Sequence, residues 1–210
     1  VLLTEISFTG AVGKFLFAYN TSAEITKITF PYKGYFRYDY TTASFGNGAR
    51  QAREVGTRYM SADGAGGSEQ AYTFSHPSGD SALDLHTQTT LIDPAGHKKV
   101  WDFIQGSLGW DTGLNNRQEV WQGPAPNYVL KNRREITWTQ DNPASGQPLS
   151  NPRMAATLST VEDGVTQSKV EQDVDANGNV TQVREYAYGS LSTPYRTTTI
   201  TYLAGTNYTS

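Results

Sequence analysis

Val174-Asp175-Ala176-Asn177-Gly178-Asn179-Val180-Thr181 reads as strand, tight turn, strand. Asn177-Gly178 supplies backbone that accepts positive φ, and Asp175 brings a short carboxylate that can take up local backbone amides. Just beyond, Tyr186-Ala187-Tyr188 sets two aromatic rings on one face of an extended segment. A hairpin with one aromatic face is the unit that this stretch predicts.

The same grammar recurs along the chain. Phe15-x-Phe17-x-Tyr19, Phe36-x-Tyr38-x-Tyr40, Tyr72-x-Phe74 and Trp101-x-Phe103 alternate with period two, which predicts strands buried on one side. Turn signals separate them: Asn47-Gly48, Asp63-Gly64, Gly66-Gly67, Ser78-Gly79-Asp80, Pro94-Ala95-Gly96 and Asp163-Gly164. Helical periodicity is confined to a turn or two around Leu114 to Trp121, and Asp141 to Pro152, with three prolines and a glycine, predicts a long surface loop between sets of strands. The fold class expected is all-β: antiparallel hairpin repeats forming a shell-like or sandwich-like sheet assembly, with residues 1–210 a single domain.

Internal repetition supports that reading. Anchoring Ile25-Thr26-x-Ile28 on Val180-Thr181-x-Val183 sets Tyr19 against Val174 and Ser22 against Asn177, so both copies read strand, turn, strand. A third, looser unit runs from Thr89 through the Asp93-Pro94-Ala95-Gly96 turn to Trp101-x-Phe103. Asp93, Gly96, Asp175 and Gly178 are the repeat-turn residues. Hairpins with one apolar face each must stack on neighbours, which makes further repeats, of the same or other copies, the expected partners.

Seventeen basic and 20 acidic side chains give a net charge of -3 without runs of one sign, which argues against nucleic-acid binding and a polybasic membrane patch. No apolar run approaches the roughly 18 residues of a membrane span, so no membrane insertion is expected. The N-terminal residues lack a basic and apolar leader, so the chain reads as a mature or excised piece. The absence of cysteine excludes disulfides and thiolate chemistry. Asn20, Asn179 and Asn207 open N-x-S/T sequons of the kind that Asn- and Thr-rich sequences generate by chance.

Val174 to Thr181 followed by Tyr186-Ala187-Tyr188-Gly189 resembles the YD repeat of Rhs, teneurin and toxin-complex proteins, whose signature is Y-D-x-x-G-N-x-T and then an aromatic strand. Val174 stands where the signature has Tyr, and the earlier copy keeps Tyr19 but has Asn20 and Ala23 for the Asp and Gly. Asp93-Pro94-Ala95-Gly96-His97 is similar to the D-P-x-G-x hairpins of the same proteins. The resemblance covers about half the chain in pieces. It implies a spiral of hairpins in an extracellular or cell-surface shell that encloses a toxin or mediates adhesion. The self-cleaving core motif of that family has no counterpart in the sequence.

Four constellations bear on chemistry. Asp173-x-Asp175-x-Asn177-Gly178 matches the opening of a calcium loop, but Arg184 stands at the twelfth position, where a bidentate carboxylate belongs. A hairpin turn is therefore the preferred reading of these residues, with calcium the alternative and no other cofactor expected. His76, His86 and His97 lack the spacing of a helical metal pair, so any centre built from them must be assembled by the fold. Glu5, Asp39, Asp84, Asp102, Asp111, Glu119 and Glu135 sit in or beside strand-like runs, yet no spacing selects a catalytic pair, and no enzyme is predicted. Among the aromatics, Trp110 and Trp121 flank the Gly- and Asn-rich stretch 109–116 and are the expected exposed members of a glycan-stacking surface, which makes a carbohydrate-binding or carbohydrate-hydrolysing module the alternative function.

Overall fold

A computed structural model of the chain describes residues 2–8, 10, 13–106, 108–175 and 177–202. The expected all-β class is what the chain adopts: 14 antiparallel strands in one open sheet, ordered as they occur in the sequence. They are β1 (Glu5–Ser7), β2 (Lys14–Tyr19), β3 (Ile25–Thr29), β4 (Tyr35–Phe45), β5 (Arg50–Ser61), β6 (Gln70–Ser75), β7 (Gln88–Ile92), β8 (Lys98–Phe103), β9 (Asn115–Gln122), β10 (Val129–Thr139), β11 (Arg153–Val161), β12 (Gln167–Val174), β13 (Val180–Tyr186) and β14 (Arg196–Thr199). Helix among the described residues is limited to three short 3-10 turns, at Gly46–Gly48, Gly66–Ser68 and Ser78–Ala82. Two compact units result, Val1–Val100 with Gln122–Tyr128, and Trp101–Trp121 with Val129–Ser210.

The first unit is built around the long β4–β5 hairpin. Asp39 pairs with Thr57 and Tyr40 with Val55, so Gly56 is left over as a bulge. A Cβ there would come within 2.6 Å of Thr41 Cγ2, so any larger residue would require the Thr41 side chain to shift. Beside this hairpin, Phe30 gathers rings edge-on from Phe15 and Phe36 at 5.8 and 5.1 Å and stacks on Tyr32 at 5.3 Å. In the second unit β10 to β14 form a continuous meander.

The repetition seen in the sequence is real in the backbone. Asn20, Asp93 and Asp175 each open a five-residue turn in which the first residue donates its N–H to the carbonyl of the fifth, and the fourth donates to the carbonyl of the first. Each side-chain Oδ1 accepts the amides two and four residues on: Ser22 and Glu24, Ala95 and His97, Asn177 and Asn179, all between 2.8 and 3.0 Å. The fourth residues, Ala23, Gly96 and Gly178, have φ of 62°, 81° and 84°. The hairpins β2–β3 and β12–β13 also share one bulge. Tyr19 pairs with Ile25 and Ala18 with Lys27, as Val174 pairs with Val180 and Asp173 with Gln182.

Three sequence expectations are corrected. Leu114 to Trp121 holds strand β9, with no helical turn in Asn115–Gln122: Asn115, Arg117, Glu119 and Trp121 alternate and bond along and across neighbouring strands, a period-two pattern written in polar side chains. The 141–152 loop connects β10 to its direct neighbour β11, and the buried Gln140 holds it by donating to Asn142 and Pro148 carbonyls and accepting the Ser150 amide. Strand faces expected to be buried on one side are mostly half-buried. The buried apolar residues among those described are Tyr35, Phe45, Val100, Trp110, Ile136 and Tyr186.

Candidate functional site

Of the two tryptophans expected at a ligand surface, Trp110 is buried, 5% exposed, and its Nε1 donates to the Pro143 carbonyl. The correction has a simple cause: the 141–152 loop folds back over this stretch, where Gly146 N–H also bonds the Leu108 carbonyl at 3.0 Å. Trp121 is half-buried and donates to Glu119 Oε2 at 2.9 Å. More open rings occur elsewhere, at Tyr188 (56% exposed) and Tyr195 (64%), which line a groove with Lys169, Val170 and Glu185.

Asp173, Asp175 and Asn177 stand at the β12–β13 turn. Asp173 is bound bidentately by Arg184, at 2.6 and 2.9 Å, so the cation that breaks the calcium pattern in the sequence takes that carboxylate. Hydrogen bonds from the Asn179 side chain and backbone and from Asn177 N–H hold the Asp175 carboxyl below its usual pKa. Both carboxylates are thus occupied by donors of the chain. Asp102 and Glu119 meet in a ladder with arginines, Arg117 reaching Asp102 at 2.6 Å and Arg133 reaching Glu119 at 2.7 Å.

The fold brings two of the three histidines together. His76 follows β6 directly, and His86 lies between the Ser78–Ala82 turn and β7. Their rings stack at 3.5 Å with planes 9° apart. Glu54, on β5 two residues before the bulge glycine, faces both: His86 Nε2 lies 2.8 and 2.9 Å from its two carboxylate oxygens, and His76 Nε2 3.6 Å from Oε2. The far nitrogens are held too. Nδ1 of His86 bonds Asp80 Oδ2 at 2.9 Å, and Nδ1 of His76 bonds the Gln88 carbonyl at 3.1 Å, with Thr89 Oγ1 3.3 Å away.

Asp80 is buried, and Thr87 fixes it through N–H and Oγ1 at 3.2 and 2.7 Å. The Phe45 ring packs on His86 at 4.9 Å. The cluster borders a groove also lined by Thr41, Thr42, Phe74 and Ser78. His97 is elsewhere, accepting Gly123 N–H through Nδ1. Glu54 and Asp80 escaped the sequence reading because no spacing links Glu54 to the histidines. The local signal was His76-Pro77-Ser78-Gly79-Asp80 and then His86, two imidazoles and a carboxylate within one short loop.

No family model matches this chain, and no curated protein matches it.

Proposed function

We propose that this chain is a scaffold: a segment of an extracellular hairpin-repeat shell of the YD/Rhs kind, adhesive or structural, whose partners are further repeats of the same or another copy. The observation that carries this reading is the pair of hairpins β2–β3 and β12–β13, which share turn, side-chain bonding and bulge across 155 residues, from Asn20 to Asp175. Half-buried strand faces support it, since repeat units complete their burial against neighbours. Light scattering on chromatographed samples over a hundredfold concentration range tests it. Association that grows with concentration is expected, and a dilution-independent monomer would sink the reading.

A glycan-binding reading finds its support at Tyr188 and Tyr195, whose open rings beside Lys169 and Glu185 offer a stacking platform with polar partners. Retention on a glycan array that disappears in Y188A/Y195A would favour it, and a silent array would remove it.

A further inference from the structure

We infer that Glu54, His76 and His86 form a binding site for a zinc-class divalent cation. The donor atoms of the three lie within 4.8 Å of one another. The two histidine–Glu54 separations, 2.8 and 3.6 Å, bracket the edge of about 3.3 Å expected for a tetrahedron with zinc bonds of roughly 2.0–2.1 Å. Two imidazoles and one carboxylate, with a fourth position open to solvent, make up a ligand set of the kind zinc takes.

The second layer assigns the tautomers. Asp80 and the Gln88 carbonyl can only accept, so Nδ1 carries a proton in both rings; Glu54 can only accept as well, so His86 Nε2, 2.8 Å from it, calls for either a second proton or a cation. The two Nε2 atoms and the carboxylate lie within 4.8 Å of one another, but with the rings stacked 9° from parallel the in-plane lone pairs run side by side, so a cation is held by both once the His76 ring turns out of the stack. A proton on His86 Nε2 would answer only the His86–Glu54 contact. It would leave His76 Nε2 facing Glu54 and put a charged ring face to face with its neighbour at 3.5 Å.

Asp80 acts as a positioning residue, buried and anchored by Thr87 so that His86 is aimed before metal arrives. The cation would tie β5 to the segments before and after the Ser78–Ala82 turn. Its open position faces the groove lined by Thr41, Thr42 and Phe74. This inference is independent of the scaffold reading.

The test is zinc titration of the full chain in competition with a chromophoric chelator, with elemental analysis after gel filtration and cobalt(II) as a spectroscopic probe. One metal per chain is expected, with a tetrahedral cobalt spectrum and a thermal midpoint that rises on zinc addition. H76A should weaken zinc binding by about 100-fold or more and E54Q by a similar factor, whereas D80N should weaken it by about 10- to 100-fold, as loss of an outer partner does. H97A should bind like the parent chain. If H86A fails to fold, H76A and the cobalt spectrum of the parent still decide. A folded parent chain that takes up no zinc, or affinity unchanged in both H76A and E54Q, would overturn the site.

Discussion

Ala23, Gly96 and Gly178 occupy one position in three equivalent turns, and Ala23 alone carries a Cβ in the left-handed region. A left-handed residue with a Cβ costs roughly 1–2 kcal/mol, and glycine returns about 0.4–1 kcal/mol of that through the freedom of the unfolded chain. Ala23→Gly should therefore stabilise the protein by up to about 1 kcal/mol. Gly178→Ala should destabilise it by about 1 kcal/mol through the backbone alone, since the added Cβ would meet only Asn151 side-chain atoms at 3.5 Å, an ordinary contact. Urea unfolding of both variants reads the two signs, and equal shifts in the same direction would deny that the turns are equivalent. Asp175→Ala removes the acceptor of two turn amides and should cost about 1 kcal/mol. These turns were legible in the sequence because Asp, Asn and Gly each declare a backbone requirement. Ala23 was legible only through its alignment with Gly178.

Strands in each unit cross-link through the same kind of cluster. Tyr35 on β4 donates to Glu69 at 2.7 Å, Arg37 pairs with that carboxylate, and Lys27 sits over the ring at 3.7 Å. Tyr186 on β13 donates to Glu171 on β12 at 2.7 Å, with Arg184 on the same carboxylate and Lys169 over the ring at 4.1 Å. The Arg37 and Tyr35 bonds hold Glu69 at a pKa of about 2, and those from Lys169 and Tyr186 do the same for Glu171. Both values lie below the ordinary 4.5, so the stabilisation is complete above about pH 4.5 and is lost as pH falls toward 2. The urea midpoint should drop over that window, and E69Q/E171Q should flatten the drop while lowering stability at pH 7. An unchanged pH slope would remove these clusters as its cause. Neither cluster could be read from the chain, because Glu69 lies 34 residues from Tyr35 and only register joins them. β9 was missed for the related reason that its alternation is polar, and the Glu54–His76–His86 cluster because a bulge and a loop, not a spacing, bring it together.

At the scale of the whole molecule, a meander of 14 strands in chain order has two outer strands, β1 and β14. Aromatic periodicity foretold the strands, but the extent of a sheet depends on what covers its faces and edges, which no local pattern encodes. All four residues of β14 are exposed, and among the described residues it pairs with β13 alone, Thr198 standing opposite Val183. Its charge lies at one end, where Arg196 pairs with Glu185, and Thr197-Thr198-Thr199 is uncharged and β-branched. Such a strand is a template for a further strand, from another repeat or another copy. Thr198→Lys puts a desolvation cost on any strand added there, whereas a surface change of this kind moves stability by no more than about 0.5 kcal/mol. Sedimentation velocity at increasing concentration should show association in the parent chain and a clear reduction in T198K at equal urea midpoint. Association unaffected by the lysine would move the contact away from β14, to the β1 edge or to the half-buried faces.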